Sequence, residues 1–180
     1  MSLLILECVP KKWKAREGLA LYHFLKMPVG TDIDVKLVEF RTKTEFLKFL
    51  SNKSYLNRFQ FVHLSGHGSI HKHVGVFELP YGDVLPQEFP KGCFEGQCIT
   101  LSACELGKSD FSGPFIQQTL PEFVIGPSRD VTFDDAIIFW VNFYFFVLYR
   151  DFKATTAFDK TRGFLAPHIK GGFSYWKMEE

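Results

Sequence analysis

Along this chain the apolar positions switch repeatedly between a run-like pattern and a helical stripe. Leu3 to Val9 is a short apolar run ending at Pro10, the pattern of a buried strand. Glu17 to Met27 carries Leu19, Ala20, Tyr22, Phe24 and Leu25 as a helical stripe, which Pro28 and Gly30 close. Ile33, Val35 and Leu37, then Val38 and Phe40 after a phase shift, predict a second strand. Thr42-Lys43-Thr44-Glu45 opens a helix with Phe46, Leu47, Phe49 and Leu50 on one face. Either threonine can cap it, and Thr42 has Glu45 in the capping-box position. Phe59 to Leu64 predicts a third strand, ending at Gly66.

Two further strands are predicted at Val74 to Leu79 and Cys98 to Ser102, separated by a turn-rich segment around Tyr81-Gly82-Asp83. A helix is expected over part of Ser109 to Leu120, with Gly113-Pro114 leaving its start open. Glu122 to Gly126 reads as a short strand and Phe133 to Arg150 as one long helix. Strands alternating with helices at this spacing need crossover connections. The expected architecture is therefore one α/β domain, a mostly parallel sheet flanked by helices, with no repeat or linker.

Composition narrows the function classes. Hydrophobic residues make up 46% and charged residues 23% of 180, a balance that excludes disorder as the main state. With 21 Lys+Arg against 20 Asp+Glu, the net charge of +1 offers no electrostatic case for nucleic acid or an anionic membrane. The 21 phenylalanines predict a large aromatic core. The run Ala136 to Tyr149, broken only by Asn142, falls short of the about 20 residues that span a bilayer and reads as a buried helix. The opening Met-Ser-Leu-Leu-Ile-Leu has no basic region or small-residue cleavage site, so no secretory signal is expected. Four scattered cysteines (Cys8, Cys93, Cys98, Cys104) are too few for a disulfide framework, and reduced thiols in a cytoplasmic setting are expected.

In open parallel sheets, working residues gather beyond the carboxyl ends of the strands. The third strand runs out through His63-Leu64-Ser65-Gly66-His67-Gly68, and a later one through Leu101-Ser102-Ala103-Cys104. If these strands are neighbours, His67 lies beside Cys104, and imidazole is the usual base for a thiol nucleophile. Gly68 would let the backbone approach a substrate, with its N–H facing an oxyanion. The bland reading stays open at this point, with Cys104 a small hydrophobe and His67 closing a turn. His63, His67, His71 and His73 with Cys93 and Cys98 do not converge as a zinc site would require, so no metal is assigned. Gly66-x-Gly68 lacks the third glycine of a dinucleotide fingerprint, and no cofactor is expected.

The residues themselves carry a resemblance. His63-Leu64-Ser65-Gly66-His67-Gly68, followed by Leu101-Ser102-Ala103-Cys104-Glu105-Leu106-Gly107, closely resembles the paired motifs of the caspase-like cysteine peptidases of the CHAT group, relatives of separase. Val124 to Thr132 is similar to the separase-like strand that ends in Trp-Asp-Val-Thr, with Arg129 in place of the tryptophan. The resemblance runs from about Leu3 to Phe164.

It implies a caspase-like fold and a cysteine endopeptidase acting on protein or peptide substrates. By position, Cys104 matches the nucleophile and His67 the general base, and the backbone N–H groups of Gly68 and Cys104 match the oxyanion hole. His63 matches the family's first histidine and is expected to be packed and hydrogen-bonded. Asp130 falls where relatives hold an aspartate for a basic P1 side chain, with Glu105 a rival acid. No third catalytic residue is implied. The alternative is a latent or inactive interaction module, and a separate activating or sensor protein is an expected partner.

Overall fold

The computed structural model describes residues 1–9, 15–27, 33–168 and 172–177, and all structural statements concern these. Its strands are β1 (Ser2–Glu7), β2 (Asp34–Glu39), β3 (Phe61–Ser65), β4 (His67–His71), β5 (Val74–Leu79), β6 (Gly82–Val84), β7 (Cys98–Ser102), β8 (Phe123–Pro127) and β9 (Phe173–Lys177). Its helices are α1 (Glu17–Lys26), α2 (Lys43–Leu50), α3 (Lys53–Leu56), α4 (Ser109–Thr119), α5 (Phe133–Tyr144) and α6 (Ala154–Leu165). Six strands form one sheet in the order β2-β1-β3-β7-β8-β9, parallel except for β9, which runs antiparallel to β8. The strands β4-β5-β6 make a second, antiparallel sheet.

Alternation along the central strands feeds two cores. Leu4, Leu6, Val62, Leu64, Ile99 and Leu101 pack with Phe46 and Leu50 of α2, Leu56 of α3, and Phe111 and Phe115 of α4. Leu3, Ile5, Phe61, Phe123 and Ile125 face the other way, onto Leu21 of α1, Trp140 and Phe143 of α5, and Phe158 of α6. The sheet is thus covered on both faces, as parallel strands require. The expected aromatic core is here: Phe89 meets Phe115 edge-on at 4.9 Å, and Phe139 stacks on Phe173 at 3.7 Å. Each fully buried phenylalanine contributes about 1.5–3 kcal/mol.

Local chemistry sets the helix ends. Thr42 caps α2, its Oγ1 accepting the Glu45 N–H at 3.2 Å while its hydroxyl donates to Glu45 Oε2 at 2.9 Å. Thr132 caps α5 through the Asp135 N–H at 3.2 Å. The helix expected from Phe133 to Arg150 is continuous but changes its winding: α5 is α-helical to Tyr144, and Phe145–Tyr149 wind as a wider π-turn. Asp151, at φ +55°, reverses the chain so that the Phe152 N–H reaches back to the Phe146 carbonyl at 3.1 Å. No helix among the described residues is long and apolar enough to cross a membrane.

Candidate active site

Two strand ends are clamped side by side. β3 and β7 pair through Ser65 and Ser102, and one step further the Gly66 N–H donates to the Ser102 carbonyl at 3.1 Å. Beyond this point His67 opens β4 while Ala103 and Cys104 begin a turn toward α4. The two segments touch again at Gly68, where a Cβ would lie 2.5 Å from the Cys104 carbonyl oxygen and 2.6 Å from Leu106 Cγ. Only glycine permits that approach. Gly107 likewise lies against the backbone of Gly126 with no room for a side chain.

His67 and Cys104 line one pocket of about 200 Å³, together with Glu17, Ser102, Val131 and Phe133. Cys104 is half-buried, whereas Cys8, Cys93 and Cys98 are buried, and all four thiols are free. Burial holds Cys8 and Cys98 far above the ordinary thiol range and pushes Cys93 up to about 12. Those three are poor nucleophiles at neutral pH. The Val131 N–H donates to Cys104 Sγ at 3.4 Å, and the thiol reaches the Val131 carbonyl at 3.5 Å.

The turn carrying Cys104 is tied down on its far side. The Glu105 N–H donates to the Arg129 carbonyl at 3.3 Å, and the Gly107 N–H to the Pro127 carbonyl at 2.7 Å. Trp176 of β9 donates its indole N–H to the Gly107 carbonyl at 2.7 Å. These contacts hold Glu105 at φ +62°, a conformation costing a non-glycine residue about 1–2 kcal/mol. The Glu105 carboxylate is paired with Lys108.

The sequence-derived candidates therefore separate into two groups. His67 and Cys104 come together in the pocket, and Gly68 touches the Cys104 backbone without lining that pocket. Gly68 sits in a strand rather than a loop, paired with Phe77 of β5. Asp130 and Arg129 are exposed, and neither they nor Glu105 lines the pocket. His63 is fully buried, with Nε2 2.9 Å from Glu17 Oε2 and Nδ1 2.8 Å from Thr100 Oγ1, which in turn lies 2.6 Å from the Tyr144 hydroxyl. His71 ends β4 and His73 stands exposed in the following turn. Among the described residues no group of three or more His, Cys, Asp or Glu side chains could hold a metal ion.

The carboxylate that does line the pocket is Glu17, a residue absent from the sequence-derived candidates. It is the first residue of α1, 6% exposed, and its Oε1 has no hydrogen-bond donor among the described residues. Behind it lies Glu7 at the end of β1, whose Oε2 accepts the Leu19 N–H at 2.7 Å and whose Oε1 accepts the Ser65 hydroxyl at 3.4 Å. Burial and, secondly, the Glu17 charge push the Glu7 carboxyl up to about 7, against the pull of the Leu19 N–H, Arg16 and His63. No sequence pattern marks Glu17, which stands ten residues after the end of β1 and reaches the strand ends only through the placement of α1. Among known proteins, no family model matches this chain, and no curated protein matches it.

Proposed function

We propose that this domain is a caspase-like cysteine endopeptidase using Cys104 and His67. One observation carries the reading: adjacent parallel strands deliver a half-buried thiol and an imidazole to the same pocket, while the other three thiols are buried. The Cys104 thiolate attacks the scissile carbonyl, and the N–H groups of Cys104 and Gly68 receive the developing oxyanion. His67, holding the proton taken from the thiol, delivers it to the leaving amine. Water, deprotonated by His67, then hydrolyses the thioester and restores the thiol. Free thiols at all four cysteines favour a reducing, cytoplasmic setting. A basic P1 residue is favoured by the carboxylate of Glu17 on the pocket wall, in the role that Asp130 held by resemblance.

Alkylation of Cys104 by iodoacetamide, followed by mass spectrometry from pH 5 to 9, tests the assignment. A fast rate persisting below pH 7 and lost in His67→Ala is expected, together with loss of peptide cleavage in Cys104→Ala without unfolding. Cleavage that survives Cys104→Ala overturns it. A second reading, a latent domain that a separate activating protein must open, is favoured by the contacts of Cys104 Sγ with the Val131 backbone. In that case the rate rises only near the ordinary thiol pKa of about 8.5 until the partner is added.

A further inference from the structure

The hairpin that begins with His67 sets a carboxylate beside it. β4 and β5 pair antiparallel with His67 directly opposite Glu78. Side chains directly opposite in an antiparallel pair leave the same face, with Cβ atoms about 4.5–5.5 Å apart. Ser69, two residues along β4 and therefore on that face, donates its hydroxyl to Glu78 Oε1 at 2.5 Å. Ser69 and Glu78 are both half-buried, and Glu78 does not line the pocket. The carboxylate is thus anchored by Ser69 on the face of the ribbon from which the His67 side chain leaves, outside the pocket.

We propose that Glu78 is the positioning acid of His67. The role rests on the peptidase reading, and it supplies the third member that the paired motifs leave unassigned. When the proton of Cys104 Sγ moves to the imidazole, a thiolate and an imidazolium form with no change in total charge. A fixed negative charge within about 4–6 Å favours the imidazolium and raises the pKa of the ring. Ser69 keeps that charge on the ribbon face instead of letting it swing to solvent.

The other charges around His67 do not replace Glu78. On the pocket side, Glu17 gives Oε2 to His63 but keeps Oε1 on the wall, a second negative charge that Glu78→Gln leaves in place, and Cys104 is the proton donor itself. In the turn beneath Gly68, Glu105 is neutralised by Lys108. Asp83 of β6, opposite Glu78 on its other side, is exposed and solvent-screened. His71, on the same strand as His67, is exposed.

The test is the pKa of His67 itself, read from its ring Hε1 signal by NMR in wild type, Glu78→Gln, Ser69→Ala and Asp83→Asn, with His67→Ala to assign the signal. Glu78→Gln retains an oxygen that accepts from Ser69, so only the charge is lost. The His67 titration is expected to move down in Glu78→Gln, by less in Ser69→Ala, and hardly at all in Asp83→Asn. A His67 titration unchanged in Glu78→Gln overturns the proposal, even if Cys104 is fully activated. A shifted His67 beside an unactivated Cys104 upholds the hold of Glu78 on the ring and counts against the peptidase reading instead.

Discussion

Replacing Glu7 by glutamine should reverse part of the domain's stability dependence on pH. Glu7 is 1% exposed, and its carboxyl is pushed from 4.5 to about 7, chiefly by burial and then by the neighbouring Glu17. The folded chain therefore keeps a proton on Glu7 over an interval of roughly 2.5 in pH in which the unfolded chain has released it. Stability from this group is full below pH 4.5, falls as pH rises through the interval, and stays low above about 7. At about 1.36 kcal/mol per pH unit the loss is about 3 kcal/mol.

In Glu7→Gln the side-chain amide oxygen would accept the Leu19 N–H as the carboxylate does, and the group would never ionise. The difference in unfolding free energy, Glu7→Gln minus wild type, should then climb by about 3 kcal/mol between pH 4.5 and 7.5. Urea unfolding across that range measures it. With an m-value of about 2 kcal/mol/M, the variant's midpoint should gain about 1.5 M on wild type. Taking the difference removes the titrations common to both chains. Two parallel curves would show instead that Glu7 ionises alike in the folded and unfolded chain.

Two other substitutions probe the frame around the site. Lys72 and His73 form a two-residue hairpin loop with φ of +48° and +65°, where asparagine and glycine are at ease. Lys72→Asn with His73→Gly should raise stability by about 1–2 kcal/mol and Tm by about 3–6 °C. The exposed pairing of His73 with Asp110 at 3.3 Å offers little to lose, and a lowered Tm in differential scanning fluorimetry would contradict this. His63→Phe leaves the buried Glu17 carboxylate without its partner and should cost about 3–5 kcal/mol in urea unfolding. A cost under about 1 kcal/mol would mean that the His63–Glu17–Thr100 network is not formed.

The parts of the fold that are legible in the sequence are those whose side chains are sorted by burial. β7 can be read at Cys98 to Ser102, and α2 with its Thr42 cap, because a central strand is apolar throughout and a cap has a fixed spacing. The same pattern brings His67 and Cys104 to neighbouring strand ends. Elements whose burial is partial leave weaker marks. α6 buries Ala157, Phe158, Thr161 and Leu165 in a stripe diluted by polar residues, and β9 is an edge strand with one buried residue, Phe173. β4, His-Gly-Ser-Ile-His, has no apolar alternation and is followed by Lys72-His73 rather than a turn-forming pair, so its sequence has the look of a loop.

The two acids are hidden for a related reason. Glu17 belongs to the site only because α1 starts where β1 meets the clamped ends of β3 and β7. The role proposed for Glu78 depends on a register that the hairpin sets, since a slip of one residue would send its side chain to the opposite face. Hydrophobic periodicity reports which residues avoid water. Placing a charge beside a candidate catalytic group depends instead on strand register and turn geometry, so the proposed His67–Cys104 pair can be read from the chain while the carboxylates around it require the fold.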